Sequence, residues 1–197
     1  TVSLKREAGA WYAVFSSDGV EPKKALHPVS DREVGIDMGL EKFATLSTGE
    51  KIKNPRWYRK TERTLAKAQR TLAHKKKRSG KYYKTKKRIA HLHRKAAAQR
   101  RDFHHKVANR IISENRLISV EDLGTKTMIE TGSKGISKAI HDAGWAQFLT
   151  TLADKAEEAG RQLVRVPPEG TSSTCFQCGV YRKELLSERE HRCSCGL

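Results

Sequence analysis

The sequence predicts a mixed α/β fold that begins with an antiparallel meander and continues with helices and further strands. Three short segments in which apolar and polar residues alternate, 34–40, 43–47 and 51–53, are separated by turn residues and ended by Asn54-Pro55. Two long segments with helical periodicity follow, and then an apolar strand, a helix and a last strand. This order indicates a mixed sheet and differs from a regular βαβ array.

Upstream of the meander, the sequence predicts a single strand at 11–16, followed by a polar connection that contains Pro22 and Pro28. A lone strand cannot bury itself. We therefore expect it either to join the sheet that follows or to pair with residues upstream of Thr1.

Two helices are predicted after the meander, at 57–74 and 82–112, because apolar or small residues recur there at close to three-four spacing. The segment that joins them, 75–81, reads Lys-Lys-Lys-Arg-Ser-Gly-Lys. The sequence therefore predicts a helical hairpin with a Ser-Gly turn, held together by a narrow apolar seam.

Beyond the hairpin, an apolar strand is predicted at 117–121, followed by a loop rich in Gly, Ser and Thr at 124–135. A single helix is predicted from about residue 137 to residue 159, with Gly160 as its stop. A last strand is predicted at 162–166, before two prolines.

The positive charge of the chain is concentrated in the predicted hairpin. The formal net charge is +18, and residues 51–110 contain 23 Lys and Arg against two acids, Glu62 and Asp102. Such a segment attracts polyanions, with a nucleic acid backbone as the first expectation and an anionic membrane surface as the second. A charge run can also be a solvated face or a disordered tail, but the helical periodicity argues against disorder. The candidate nucleic-acid-binding residues are Arg56, Arg63, Arg70, Lys75, Lys76, Lys77, Arg78, Lys81, Lys84, Lys87, Arg88, Arg94, Arg100 and Arg101.

The sequence shows no feature of a membrane or secreted protein. It has no run of 18 apolar residues, and its N-terminus lacks the order of charged, apolar and small residues that makes a signal peptide. We therefore expect a soluble, cytoplasmic protein with no membrane partner.

Two carboxylates are predicted to meet on one face of the sheet. In the strand at 34–40, Asp37 lies on the face opposite Val34 and Ile36, and Glu121 lies opposite Ile118 and Val120 in the later strand. If the two strands are neighbours, the acids repel each other unless a cation lies between them, and oxygen ligands favour Mg²⁺ or Mn²⁺. Each acid alone can be a turn, cap or surface residue. Together they predict a catalytic metal site for phosphodiester hydrolysis.

Four cysteines near the end of the chain predict a structural zinc site. They form two close pairs, Cys175 with Cys178 and Cys193 with Cys195, and 14 residues separate the pairs. A reducing compartment keeps such thiols free for metal. The second pair has one intervening residue instead of two, so we expect a strained or register-shifted knuckle in which His191 could replace a cysteine. Four reduced cysteines without metal are the alternative.

Several motifs resemble the OrfB/TnpB proteins of bacterial and archaeal insertion sequences, which are related to the type V CRISPR effectors. The matching segments follow the order of the family across nearly the whole chain. The segment D-A-G-W (142–145) is accompanied by three further matches, Phe148, Lys155-Ala156 and Gly160. The segments are V-G-I-D-M-G-L (34–40), F-A-T-L-S-T-G (43–49), N-P-R (54–56), R-R-D-F-H-H-K (100–106), S-V-E-D-L (119–123), D-A-G-W (142–145) and T-S-S-T-C-F-Q-C-G (171–179).

The resemblance implies an RNase H-like (RuvC-like) nuclease of a transposable element that cuts DNA with a guide RNA encoded beside its gene. On that pattern Asp37 and Glu121 match the first two catalytic carboxylates, both ligands of Mg²⁺, and the two cysteine pairs match the zinc ligands. It implies a nuclease core at 34–56 and 111–170, an inserted basic helical hairpin at 57–110 and an incomplete C-terminal zinc ribbon at 171–197. Residues 1–33 correspond to the end of an N-terminal, wedge-like β region.

Two departures from the family pattern bear on activity. The third catalytic acid of relatives lies a few residues beyond the last Cys-Gly, where this sequence ends, and most of the N-terminal region that recognises the target-adjacent motif has no counterpart. We therefore expect this chain to be a weak or inactive endonuclease. A catalytically dead nucleic-acid-binding remnant or regulator is the alternative. Strand joining uses the same carboxylate-bound ions, but the resemblance favours hydrolysis.

Overall fold

The structure is a computed structural model that describes residues 1–16, 31–168, 170, 173–175, 177–181 and 193–196. The first described element is a hairpin of two antiparallel strands, β1 (Val2–Glu7) and β2 (Ala10–Phe15), joined by a tight turn at Ala8 and Gly9. The strand predicted at 11–16 is present as β2, but the expectation for its partner was wrong. Its partner is β1, whose V-S-L-K-R-E sequence has only two apolar positions and gave no clear strand signal.

The central sheet is mixed, as the sequence predicts. Three strands form the antiparallel meander, and two later strands run parallel to the first of them, in the spatial order β5-β4-β3-β6-β7. The strands are β3 (Glu33–Met38), β4 (Lys42–Leu46), β5 (Lys51–Lys53), β6 (Leu117–Glu121) and β7 (Gln162–Val166).

Strand alternation gives the sheet two different faces. Val34, Ile36 and Ile118 are buried against the helices, whereas Asp37 and Glu121 lie on the opposite face, which we call the carboxylate face. The first face carries the core because every second residue of β3 and β6 is a branched aliphatic or methionine.

The predicted helical hairpin is present, and its second helix is longer than expected. Helix α1 (Trp57–Ala73) packs against α2 (Gly80–Glu114), and the Ser79 hydroxyl caps α2 by accepting a hydrogen bond from the Tyr82 N–H. The C-terminal part of α2 belongs to the core, where Ile111 is 1% exposed. The boundary expected at residue 110 therefore falls inside one continuous helix.

The segment after β6 contains three helices, where the sequence predicted a loop and one helix. They are α3 (Thr125–Thr131), α4 (Lys134–Ala143) and α5 (Trp145–Glu158). The Ser133 hydroxyl starts α4 by accepting from the Ile136 N–H, and Gly144, at φ 67°, ends α4 and begins α5. Glycine adopts this left-handed conformation without strain, and helical periodicity alone does not reveal such a break.

The break at Gly144 is a junction where side chains of α2 meet the end of α4. Arg100 donates to the His141 carbonyl at 3.2 Å, and the buried His104 ring contacts the Ala143 carbonyl through Nε2 at 2.9 Å. These carbonyls belong to the last turn of α4, which has no intrahelical donors for them. His104 also stacks on Phe43 of β4, so the junction is tied to the sheet.

Candidate active site and nucleic-acid interface

Asp37 and Glu121 occupy neighbouring positions on the carboxylate face. Strands β3 and β6 are parallel and in register as far as the pair Ile36 and Val120, and the next residue of each strand is the acid. Neighbouring strands of a sheet lie about 4.8 Å apart. The two acids, 84 positions apart in the sequence, therefore meet, as the strand pattern predicts.

The two carboxylates are close enough to affect each other electrostatically. Partial burial against the sheet, and then the negative charge of Glu121, raise the pKa of Asp37 above its usual value. The Asp37 side chain still reaches solvent. Two carboxylates at this spacing could hold a divalent cation, because the cation would remove the repulsion between them.

The glycines that flank Asp37 have different roles. A Cβ on Gly35 would make only an ordinary contact with the Ser47 side chain, at 3.6 Å, so the backbone there leaves room on the carboxylate face. A Cβ on Gly39 would lie 2.8 Å from the Lys42 carbonyl oxygen. Gly39 is therefore required by the turn between β3 and β4.

Most of the predicted nucleic-acid-binding residues lie on the surface of the helical hairpin. Eleven of the 14 are exposed, and the half-buried ones are Lys75, Arg94 and Arg100. Arg94 contacts the Tyr12 hydroxyl of the N-terminal hairpin, and Arg100 holds the end of α4. These two residues have structural partners, so the exposed residues of α1 and the first half of α2, which we call the basic arm, form the candidate interface.

The sequence analysis missed further basic residues beside the carboxylates. Lys51 and Lys53 of β5 flank the buried Ile52, so both lie on the carboxylate face. The alternation K-I-K is the sequence signal for this placement, although the helices contain far more basic residues. Asp142 was also missed as a functional anchor: it is buried and binds two backbone N–H groups at the start of α1.

The four cysteines form one cluster, as the sequence predicts. The Sγ atoms of Cys175 and Cys195 are 3.7 Å apart, those of Cys178 and Cys193 are 3.4 Å apart, and all four lie within 4.8 Å of one another. A tetrahedral zinc ion with Zn–S bonds of about 2.3 Å separates its sulfurs by about 3.8 Å. The thiols therefore fit a zinc ion. His191, the alternative ligand, lies outside the described residues.

Both cysteine pairs are bent by a glycine at positive φ. Gly179 (φ 72°) follows the first pair and its N–H bonds the Cys175 carbonyl, and Gly196 (φ 96°) follows the second and bonds the Cys193 carbonyl. A hydrogen bond from the Cys195 backbone lowers the pKa of Cys193 to about 6, which favours the thiolate that metals bind. Despite its missing residue, the second pair delivers both sulfurs to the cluster.

Within the described ranges, the cysteines are the only group of three or more clustered Cys, His, Asp or Glu side chains. The carboxylate site thus comprises two acids in this part of the chain. No helix of the same part is long and apolar enough to cross a membrane.

Comparison with known proteins gives two family matches in chain order. The profile of the OrfB_IS605 family, described as a probable transposase, matches residues 20–131, and that of the Cas12f1-like TNB domain matches residues 145–197. The first match covers the meander, the basic arm and both carboxylates.

Two curated bacterial proteins align with almost all of the chain. A putative RNA-guided DNA endonuclease of Streptomyces pristinaespiralis is 36% identical over an alignment of 200 positions that covers 100% of this chain and 48% of that protein. The putative RNA-guided DNA endonuclease InsQ of Escherichia coli K12 is 33% identical, over 98% of this chain and 51% of that protein. The chain spans about half the length of these relatives.

One solved structure also aligns with the chain. A chain of the Cas12f1–sgRNA–target DNA complex aligns with 91% of this chain and 45% of its own length, with a TM-score of 0.49 and 18% sequence identity.

Fold and site define a mixed α/β protein with an acid pair on the open face of its sheet, a basic helical arm and a four-cysteine cluster. The OrfB_IS605 family match covers more than half of the chain and indicates a transposon-encoded protein. The chain belongs to the OrfB/TnpB family.

Proposed function

We propose that this chain forms the catalytic part of an RNA-guided, Mg²⁺-dependent DNA endonuclease of a transposable element. The observation that carries the proposal is the register of β3 and β6, which sets Asp37 beside Glu121 on the carboxylate face. The names of the two bacterial relatives support the same activity. In this proposal the central sheet is RNase H-like (RuvC-like), and the cysteine cluster is a zinc ribbon with structural Zn²⁺.

In the proposed mechanism, Asp37 and Glu121 would hold Mg²⁺ or Mn²⁺ through carboxylate oxygens. The bound ion would supply Lewis-acid chemistry, activating water and stabilising the charge of the leaving oxygen. The two acids position the scissile phosphate indirectly, because neither can approach a phosphodiester without a cation between the negative charges. The small side chains of Gly35 and Ser119 on the same face leave space for a strand.

The basic arm is proposed to hold the guide RNA and its heteroduplex with target DNA. Its exposed Lys and Arg side chains neutralise phosphates without reading bases, as expected where base pairing provides the specificity. Between Lys75 and Arg88 the arm has no acidic residue, so few of its charges can be satisfied within the chain.

The test is Mg²⁺-dependent cleavage of a plasmid target by this chain with its cognate guide RNA. We expect wild type to cleave weakly, and Asp37→Ala and Glu121→Ala to abolish that cleavage while RNA affinity is unchanged, because the basic arm is intact. Asp154→Ala, at an exposed position of α5, is the control and should cleave as wild type. Measurable cleavage by Asp37→Ala at the wild-type rate would overturn the catalytic assignment.

A second candidate function is nucleic-acid binding without cleavage. It is favoured by the presence of two, rather than three, clustered carboxylates in the described residues. Measuring the Tm at increasing Mg²⁺ concentration helps to distinguish the two candidate functions. We expect Mg²⁺ to raise the Tm of wild type and not that of Asp37→Asn. Metal stabilisation without cleavage would leave a binding protein with a preserved ion site.

A further inference from the structure

The carboxylate face carries a transverse row of side chains that ends in lysine. Asp37 of β3 pairs with Thr45 of β4, and Thr45 pairs with Lys51 of β5. Residues paired across neighbouring strands point to the same face, and each strand adds about 4.8 Å. Lys51 therefore lies two strands, or about 10 Å, from Asp37, on the side of the sheet away from Glu121.

A bulge in β4 places another lysine, Lys42, on the carboxylate face. The register of β4 and β5 shifts between Lys42 and Ala44, so that Phe43 and Ala44 are both buried while Lys42 pairs with Lys53. Since Lys53 lies on the carboxylate face, the bulge turns Lys42 to that face as well. Without the shift, Lys42 would follow Ala44 into the core.

Lys42 and Lys53 line a cleft between the corner of the sheet and the start of α1. The cleft has a volume of about 580 Å³ and is lined by five cationic residues and one acid, Glu41. None of the five takes part in an ion pair among the described residues, although Lys60 lies over the Trp57 ring. The cationic residues are Lys42, Lys53, Arg56, Arg59 and Lys60.

The wall of the cleft is held by a strained backbone. Arg56 has a left-handed conformation, with φ 50° and ψ 54°, which costs a residue with a side chain of the order of 1 kcal/mol. Asn54 supports it by accepting from the Arg56 N–H at 3.2 Å and donating to the Leu40 carbonyl at 3.0 Å. A second donor to that carbonyl is the Arg56 guanidinium. Five clustered cations on a fixed frame repel one another unless an anion lies among them.

We propose that this cleft binds the phosphodiester backbone of a DNA single strand that continues across the carboxylate face to Asp37 and Glu121. The proposal rests on the proposed function, because it assigns the path by which the cut strand reaches the acids. Lys42, Lys53 and Arg56 of the cleft lie outside the basic arm, whereas Arg59 and Lys60 lie on α1 and belong to it. Lys42, Lys51 and Lys53 are positioning residues that hold phosphates next to the reacting one.

The first test is lysine footprinting of the wild-type chain, which requires no variant to fold. An acetylating reagent is applied with and without a short single-stranded oligodeoxynucleotide, and modification is read by mass spectrometry. We expect the DNA to protect Lys42, Lys51 and Lys53 at least as strongly as the lysines of the basic arm. Lys155, on the helical layer that covers the other face, should stay unprotected. Unchanged acetylation of Lys42 and Lys53 would overturn the proposal.

The second test compares two double variants that remove the same charge. Lys42→Gln/Lys53→Gln should lower the salt dependence of single-stranded DNA binding by about 1.4 in the slope of log K against log salt, since each lost phosphate contact removes about 0.7. Lys106→Gln/Lys155→Gln, on α2 and α5, is the control and should keep the wild-type slope. Equal slopes for the two variants would refute the cleft as a phosphate site.

The failure of this proposal can be distinguished from failure of the proposed function. If Asp37→Ala abolishes cleavage but Lys42→Gln/Lys53→Gln cleaves with wild-type KM, the endonuclease stands and the cleft is wrong. If no cleavage occurs under any condition while the footprint is found, the cleft stands as a DNA-binding surface and the cutting function is wrong.

Discussion

The buried carboxylate of Asp142 accepts hydrogen bonds from the backbone N–H groups of Tyr58, at 2.7 Å, and Arg59, at 3.1 Å. It caps helix α1 from 83 and 84 positions away in the sequence, where the local N-cap residue, Arg56, supplies no side-chain bond. The basic arm is thereby fixed to α4, the helix that ends beside the core.

We expect Asp142→Ala to lower the free energy of unfolding by about 2 kcal/mol, because two backbone donors lose their partner. Urea denaturation of the purified chain measures the change. Asp154→Ala, which removes an exposed acid from α5, should stay within about 0.5 kcal/mol of wild type. A loss no larger than that of the control would show that the cap is dispensable.

Gly144 and Gly160 provide a matched pair for the junction between α4 and α5. Both have positive φ, at 67° and 62°, so an alanine at either costs about 1 kcal/mol of backbone strain. A Cβ on Gly144 would also lie 3.0 Å from Arg100 Cδ and 3.2 Å from His104 Cε1, while nothing lies within 4 Å of one on Gly160. We expect Gly144→Ala to destabilise by about 1 kcal/mol more than Gly160→Ala, measured by thermal unfolding. Equal Tm values for the two variants would contradict this packing.

The buried His104 should make stability depend on pH below neutrality. Burial is the main cause that lowers the pKa of His104 to about 4. The hydrogen bond to the Ala143 carbonyl raises this pKa, and the charges of Arg100 and His105 lower it further. Between about pH 6.5 and pH 4 the unfolded chain binds a proton that the folded chain refuses, so stability falls as pH falls through this window.

The expected loss over that window is of the order of 3 kcal/mol. It is measured as the difference in free energy of unfolding between wild type and His104→Gln at each pH. The glutamine amide can still donate to the Ala143 carbonyl, and the contributions of the other titrating groups cancel in the difference. The difference should be largest near pH 7 and shrink toward pH 4. A difference that is constant across the range would mean that His104 does not titrate in this way.

Zinc content tests the cysteine cluster. We expect one Zn²⁺ per chain in the purified protein, released by a chelator with loss of thermal stability, because metal binding contributes folding free energy. Cys193→Ser should lower zinc affinity, since the serine hydroxyl is a poor ligand for zinc. Val180→Ser, an exposed neighbour of the first pair, is the control. Full zinc occupancy in Cys193→Ser would identify another fourth ligand.

Much of the central sheet could be predicted from the sequence because its signals are local. Alternation in V-G-I-D-M-G-L assigns a face to Asp37, and the same parity in L-I-S-V-E assigns Glu121, so only the adjacency of β3 and β6 had to be supplied by the fold. The cysteine cluster was equally accessible, since close pairs of thiols constrain their own geometry.

The elements that escaped prediction depend on contacts between distant segments. The break at Gly144 is set by backbone conformation and by the side chains of α2 that pack on it, and neither leaves a periodic signal. The position of Lys42 depends on a bulge that also buries Phe43. Sequence patterns assign faces by counting residues, and a single inserted position reverses the count.

Helix α2 spans 35 residues without interruption, a length of about 50 Å. The C-terminal end of α2 is packed in the core against the sheet, and its N-terminal half extends the basic arm into solvent. Such a rod has no joint at its base, so the arm cannot swing without bending or melting helical turns. A polyanion bound at the far end of α2 would therefore lie at a fixed distance and angle from Asp37.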